Sequence, residues 1–130
     1  MITDKKIKLN ILSLFDGIGC SRLALNQCSN IEVRKYYYSE IDQNCIKLTN
    51  KKFSSDIFLG PVEKINPKIL PKIDLLIGGS PCQDLSNAHK GDGLKGIRSS
   101  LFYRFINLKK FLKPKYFLLE NVKNKWGLIM

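Results

Sequence analysis

The sequence predicts an α/β protein built on a doubly wound, mostly parallel sheet of Rossmann-like form with helices on both faces. Three observations carry this reading. β-rich apolar runs alternate with helical patterns, a glycine turn joins the first strand to the first helix, and a short apolar run stops at Gly78-Gly79-Ser80-Pro81. That last run is too short for a surface helix and suits a central buried parallel strand. In such sheets ligands gather beyond the carboxyl ends of the strands, near the point where strand order reverses.

The elements follow in order. Lys8 to Phe15 is an apolar strand that stops at Asp16-Gly17-Ile18-Gly19, and Ser21 to Cys28 reads as a short helix. Glu32 to Ser39, rich in Val and Tyr, is the second strand; Asp42 to Phe53 places Cys45, Ile46, Leu48 and Phe53 at roughly helical spacing. Ile57 to Leu59 is a short third strand, after which Pro61, Pro67 and Pro71 punctuate an irregular or briefly helical stretch. Ile73 to Ile77 is the fourth strand and Cys82 to Arg98 a loop. Ser99 to Leu112 has a broad apolar face, with Ser99 or Ser100 placed to cap it and Pro114 stopping it. Tyr116 to Leu119 is a final strand ending at Glu120-Asn121-Val122.

With 130 residues the chain has material for one layered core, here a single partial domain spanning 1–130. The formal charge of +11 favours a polyanionic partner, although a lysine-rich composition drift explains it equally well. Cys20, Cys28, Cys45 and Cys82 form no CxxC pair, and the single histidine, His89, has no ligand-like spacing, so no metal site is expected. No leader opens the chain and no apolar run approaches the ~18 residues a membrane helix needs. The expected setting is the reducing cytoplasm, with free thiols and no membrane.

Several polar residues converge on the carboxyl edge of this predicted sheet. Phe15-Asp16-Gly17-Ile18-Gly19 opens a helix, so its backbone can approach a ligand closely. The strict GxGxxG pattern fails because Arg22 stands in the third glycine's place. Glu40 follows Gly19 by 21 residues, where the acidic partner of a ribose hydroxyl is expected, although a structural turn plus a surface glutamate fits as well. Pro81-Cys82-Gln83 presents a thiol just past a buried strand; the bland alternative is a packed, inert cysteine, the common fate of the other three. Glu120 ends an almost wholly apolar strand, where burial is expected to keep its carboxyl protonated enough to donate a proton; the alternative is a strand-end carboxylate capping a helix or pairing with a lysine. Lys109, Lys110, Lys113 and Lys115 read as a solvated helix end able to touch phosphate. A redox role is disfavoured, since Cys82 has no resolving cysteine nearby in sequence.

The segments LSLFDGIGCSRLAL, GGSPCQDLSN, GIRSSLFYRF and LLENVKN occur in the order and spacing of the DNA cytosine-5 methyltransferase family, which the chain resembles from about Lys8 to Asn124. The resemblance implies S-adenosylmethionine as methyl donor and double-stranded DNA as partner, as in restriction-modification systems. Phe15, Asp16, Gly17 and Gly19 would form the cofactor's loop, Glu40 would hold its ribose, Ile41 would meet the adenine, and Pro81 and Leu101 would border the pocket. Cys82 matches the family nucleophile and Glu120 the acid of its ENV motif. Pro61 stands where the family carries an acidic residue facing the adenine, and Val62 keeps the apolar contact. The family's arginine-rich strand and target-recognition region would follow Met130, so a complementing second polypeptide is expected. The alternative is an inactive remnant that binds cofactor or DNA.

Overall fold

The computed structural model of the chain describes residues 5–79 and 97–120, with the backbone alone given for residues 97–101. Five parallel strands form one sheet: β1 (Ile7–Leu14), β2 (Ile31–Ser39), β3 (Ile57–Phe58), β4 (Leu75–Gly79) and β5 (Tyr116–Glu120), in the spatial order β3-β2-β1-β4-β5. The order runs outward from β1 to β3 and then restarts on the other side of β1 at β4. The reversal point therefore lies between β1 and β4, where an open α/β sheet leaves a crevice for ligands.

Helices α1 (Cys20–Asn26), α2 (Gln43–Lys52) and α3 (Ile97–Leu112) connect the strands, and two single 3-10 turns, Val62–Lys64 and Pro67–Ile69, fill the proline-punctuated stretch. Alternation along the strands sorts apolar side chains to the two faces. Leu9, Ile11, Tyr36, Tyr38 and Ile77 pack with Leu25 of α1 on one face; Leu12, Leu14, Tyr37 and Leu76 pack with Phe105 and Leu108 of α3 on the other. This two-sided burial is what the doubly wound reading requires.

Local chemistry explains where the elements stop. The Asp42 carboxylate accepts the backbone N–H groups of Asn44 (2.9 Å) and Cys45 (3.1 Å), so it caps α2 from outside. At the other end of the molecule, Lys113 has φ 48° and donates its N–H to the Lys109 carbonyl at 3.0 Å, closing α3 with a left-handed residue before Pro114. Glycine is the usual occupant of that position, and a lysine there costs about 1 kcal/mol.

Three expectations shift. β4 begins two residues later than the apolar run and takes in Gly78 and Gly79, because the ring of Phe105 lies 2.9 Å from where a Gly78 Cβ would stand. Both glycines are thus strand residues, and Gly78 lets α3 approach. α3 starts at Ile97, so Ser99 and Ser100 fall in its first turn rather than at its cap. A bulge in β2 separates the pairs Leu9–Val33 and Asn10–Lys35, leaving Arg34 as the extra residue. Only that insertion lets Val33 and Tyr36 share one face. The predicted loop from Cys82 to Arg98 lies almost wholly outside the described residues. No helix among the described residues is long and apolar enough to cross a membrane.

Candidate active site at the carboxyl edge of the sheet

The turn after β1 carries left-handed backbone at Phe15 (φ 56°), Gly17 (φ 63°) and Gly19 (φ 82°). A bulky residue such as phenylalanine rarely adopts this conformation, and strain of that kind clusters at ligand-binding turns. The surrounding hydrogen bonds hold it there. The Asp16 N–H donates to the Ser39 carbonyl (3.0 Å), continuing the pairing of β1 and β2 by one residue, and the Gly19 N–H donates to the Asp16 carbonyl (3.3 Å). A Cβ on Gly19 would sit 3.3 Å from the Phe53 ring, so the turn also packs tightly on the end of α2.

Glu40 closes the turn from the neighbouring strand. One carboxylate oxygen accepts the Gly17 N–H at 2.7 Å, and the other accepts the N–H groups of Ile41 (2.8 Å) and Asp42 (3.0 Å). Ile41, next to it, is 62% exposed, an apolar side chain open to solvent beside a carboxylate. Above Gly17 there is open space, with nothing within 4 Å of where a Cβ would stand.

Asp16 points the other way. Its carboxylate is buried beneath the turn, where one oxygen accepts the Tyr36 hydroxyl (2.7 Å) and the other has no partner among the described residues. Burial pushes its pKa up, against the lowering effect of the Tyr36 and Ser13 hydrogen bonds. The same desolvation raises the Tyr36 phenol. Asp16 therefore supports the turn from inside, and only its backbone faces the crevice.

Arg22, in the third glycine's place, makes a strut. Its Nε donates to Asp56 at 2.9 Å, its guanidinium lies against the rings of Tyr36 (5.6 Å) and Phe53 (5.5 Å), and it also bonds Asn26. Arg22 thus ties α1 to the residue just before β3, while Leu25 of the same helix packs on the sheet. Asp56 is buried with its second oxygen unpartnered among the described residues, and desolvation raises its pKa while Arg22 lowers it. Neither Tyr36 nor Asp56 carried a sequence signal for this role, since their partners lie 20 and 34 residues away.

On the other side of the reversal point, Gly79 and Glu120 are paired neighbours, and the Glu120 carboxylate leans over Gly79, 2.8 Å from where a Cβ would stand. Glu120 is exposed, as are Tyr116, Phe117 and Leu118 before it, so the burial expected for this carboxylate is not found among the described residues. Val62 is buried in the core against α3, where it lines a cleft of about 240 Å³ with Ile65, Pro67, Arg104, Asn107, Leu108 and Phe111. Pro81, Cys82, His89, Asn121 and the Leu101 side chain lie outside the described residues. Gly17, Gly19, Glu40 and Glu120 all sit at the carboxyl ends of their strands, on one edge of the sheet.

The family model for C-5 cytosine-specific DNA methylases matches residues 9–126. The chain belongs to that family. It is 42% identical to the orphan methyltransferase M.Rho11sI of Bacillus phage rho11s over 89% of this chain and 23% of that protein. It is 40% identical to the type II methyltransferase M1.ScrFI of Lactococcus lactis subsp. cremoris, over 92% of this chain and 30% of the relative, and 37% identical to the type II methyltransferase M.NgoBI of Neisseria gonorrhoeae, over 86% and 34%. The chain thus spans 23% to 34% of the length of these methyltransferases. The C-5 methylase match covers the whole parallel sheet apart from the first residues of β1, including the strained turn, Glu40 and Glu120.

Proposed function

We propose that the chain is the catalytic half of an enzyme that moves a methyl group from S-adenosylmethionine to C5 of cytosine in DNA, acting with a complementing polypeptide that supplies target recognition. The observation that most supports this is the Glu40 carboxylate bonded to the Gly17 amide, on the sheet edge that also carries Glu120. The residues present suit the cofactor. Glu40 offers acceptor oxygens to ribose hydroxyls, exposed Ile41 offers an apolar surface to adenine, and the space above Gly17 admits a ligand against the backbone. Phe15, Asp16 and Gly19 shape that loop, and Pro81 and Leu101 border the pocket in this proposal. When bound, S-adenosylmethionine supplies an electrophilic methyl group on a sulfonium.

Cytosine C5 is a poor nucleophile until the ring is activated. In the proposed mechanism the Cys82 thiolate adds to C6 of a base flipped out of the duplex, while Glu120 donates a proton to N3. Electron density then collects at C5, which takes the methyl group as the S–CH3 bond breaks toward sulfur. Loss of the C5 proton to a base, elimination of the Cys82 sulfur and return of the N3 proton to Glu120 restore the aromatic ring, the free thiolate and the acid. Glu120 stands exposed at its strand end, open to an incoming base that itself excludes water once bound.

A tritiated methyl-transfer assay on the chain combined with its complementing polypeptide tests the proposal. Cys82→Ser is expected to abolish transfer and Glu120→Gln to slow it by about 100-fold. Retained activity in Cys82→Ser removes the nucleophile, and robust turnover by the chain alone removes the need for a partner. Cofactor binding with no transfer in any complex supports the remnant reading instead.

A further inference from the structure

The edge of the sheet opposite the candidate site is basic. α3 runs antiparallel to the strands, so its last turn, with Lys109 and Lys110, comes down to the same level as the start of β5, and Lys113 and Lys115 lie in the connection between them. The Tyr116 N–H donates to the Asp74 carbonyl at 2.9 Å, which brings Lys72, two residues earlier, to the same edge. Lys72, Lys110, Lys113 and Lys115 are exposed, and no acidic side chain among the described residues pairs with any of these five lysines. Asp74 lies two residues from Lys72, and one of its oxygens already accepts the Asn10 N–H.

Two further features mark this patch, although Lys52 at the end of α2 also lies over a ring, that of Phe53, at 5.5 Å. The Lys109 ammonium sits 4.4 Å from the centre of the Phe117 ring and the Lys115 ammonium 5.4 Å from that of Tyr116, so two of the charges are held by exposed aromatic faces instead of sweeping through solvent. Cation–π contact of this kind lowers the entropy lost when the ammonium later meets an anion. Lys113 is kept in left-handed backbone where glycine is less strained, and strain retained at a surface residue points to a role for its side chain.

We infer that this amino-edge patch is a second, non-catalytic contact for DNA, binding the sugar–phosphate backbone of duplex outside the target base. DNA is taken as the partner from the function proposed above, while the location and chemistry come from the patch itself. Five lysines gathered around the end of α3 and the approaches to β4 and β5 supply point charges, which suit phosphates and read no base. The four-residue rise from Tyr116 to Glu120 separates the patch from the catalytic edge by roughly 13 Å, so the phosphates bound there belong to a different stretch of duplex from the one entering the site.

Fluorescence anisotropy with a labelled duplex, over a series of salt concentrations and without cofactor, tests this on the full chain. The triple variant Lys110→Gln, Lys113→Gln, Lys115→Gln is expected to bind at least about tenfold more weakly, with a log–log salt slope shallower by about 2 to 3. The control Lys47→Gln, Lys51→Gln, Lys52→Gln removes the same charge from exposed positions on α2 and is expected to change affinity less than about twofold. Equal losses in the two triples, no loss in the first, or wild-type binding to phosphatidylserine vesicles but not to duplex would each overturn the inference. Lys113→Gly supplies an independent arm, expected to raise the melting temperature while weakening duplex binding; stronger or unchanged binding counts against the patch. Because no arm needs cofactor or Cys82, failure here leaves the methyl-transfer reading to its own assay.

Discussion

The carboxylate of Glu40, at the end of β2, accepts the backbone N–H of Gly17 in the turn after β1 at 2.7 Å. Together with the Ile41 and Asp42 amides this occupies three of the roughly four acceptor positions a carboxylate has. Glu40 therefore shapes the strained turn before any ligand arrives, and the same group is the one proposed to meet the ribose. Shape and recognition are coupled through one side chain.

Replacing Glu40 with alanine is expected to cost about 1–2 kcal/mol of stability, since three charge-assisted bonds at a half-exposed position are lost to water. Urea denaturation measures it. Glu40→Gln keeps one acceptor oxygen and turns an NH2 group toward backbone donors, so its loss is expected to be smaller but not zero. An unchanged midpoint for both variants would mean that the turn holds itself.

Gly78→Ala introduces a methyl group 2.9 and 3.0 Å from two atoms of the fully buried Phe105 ring and 3.4 Å from the Leu14 Cβ. A ring in the core has no free direction to move, so overpacking is expected to cost about 1–3 kcal/mol. The denaturant midpoint of the variant, at unchanged m-value, reads this directly.

Arg22→Met keeps much of the packing against Tyr36 and Phe53 but leaves Asp56 buried without its guanidinium. The expected loss is about 2–3 kcal/mol at neutral pH, because the remaining carboxylate is charged or must take up a proton to stay inside. Adding Asp56→Leu is expected to recover most of that loss. A double variant as unstable as the single one contradicts the strut.

The buried carboxyls also set a pH dependence. Burial raises the pKa of Asp16 above its ordinary 3.8, with the Asp56 and Glu40 charges adding to the rise, so the folded state holds the proton more tightly than the unfolded chain. Such a group contributes stability that is fully present below the unfolded value and is lost as pH rises through the folded one. Asp56 shifts in the same direction, again chiefly through desolvation. Asp16→Asn keeps an oxygen for the Tyr36 hydroxyl and carries no charge, so its stability is expected to fall less than wild type as pH rises above the ordinary aspartate range of about 4. Parallel curves for the two proteins in urea titrations would refute this.

Local patterns made much of this molecule legible. Apolar runs, a glycine turn and helical spacing are properties of neighbouring residues, and they carried strand order far enough to put Gly17, Glu40 and Glu120 on one edge. What depended on distant partners was not visible. The bulge at Arg34 is decided by how Tyr36 and Tyr38 meet α1, and Gly78 reads as a strand terminator until Phe105 is known to lie over it. Burial of Asp16 and Asp56 and exposure of Glu120 are likewise outcomes of packing. An apolar strand such as Tyr116–Glu120 signals burial, yet its position at the sheet edge leaves Tyr116, Phe117 and Leu118 exposed.

The central claim is that the turn from Phe15 to Gly19 and the end of β2 form the methyl donor's seat. A chemical-shift titration of the ¹⁵N-labelled full chain with S-adenosylmethionine tests it even if affinity is weak. Saturable perturbations concentrated at the amides of Gly17, Ile18, Gly19, Glu40 and Ile41 are predicted, and they should vanish in Glu40→Ala. Perturbations confined to α3 and β5, or none at the turn up to about millimolar cofactor, would contradict the account.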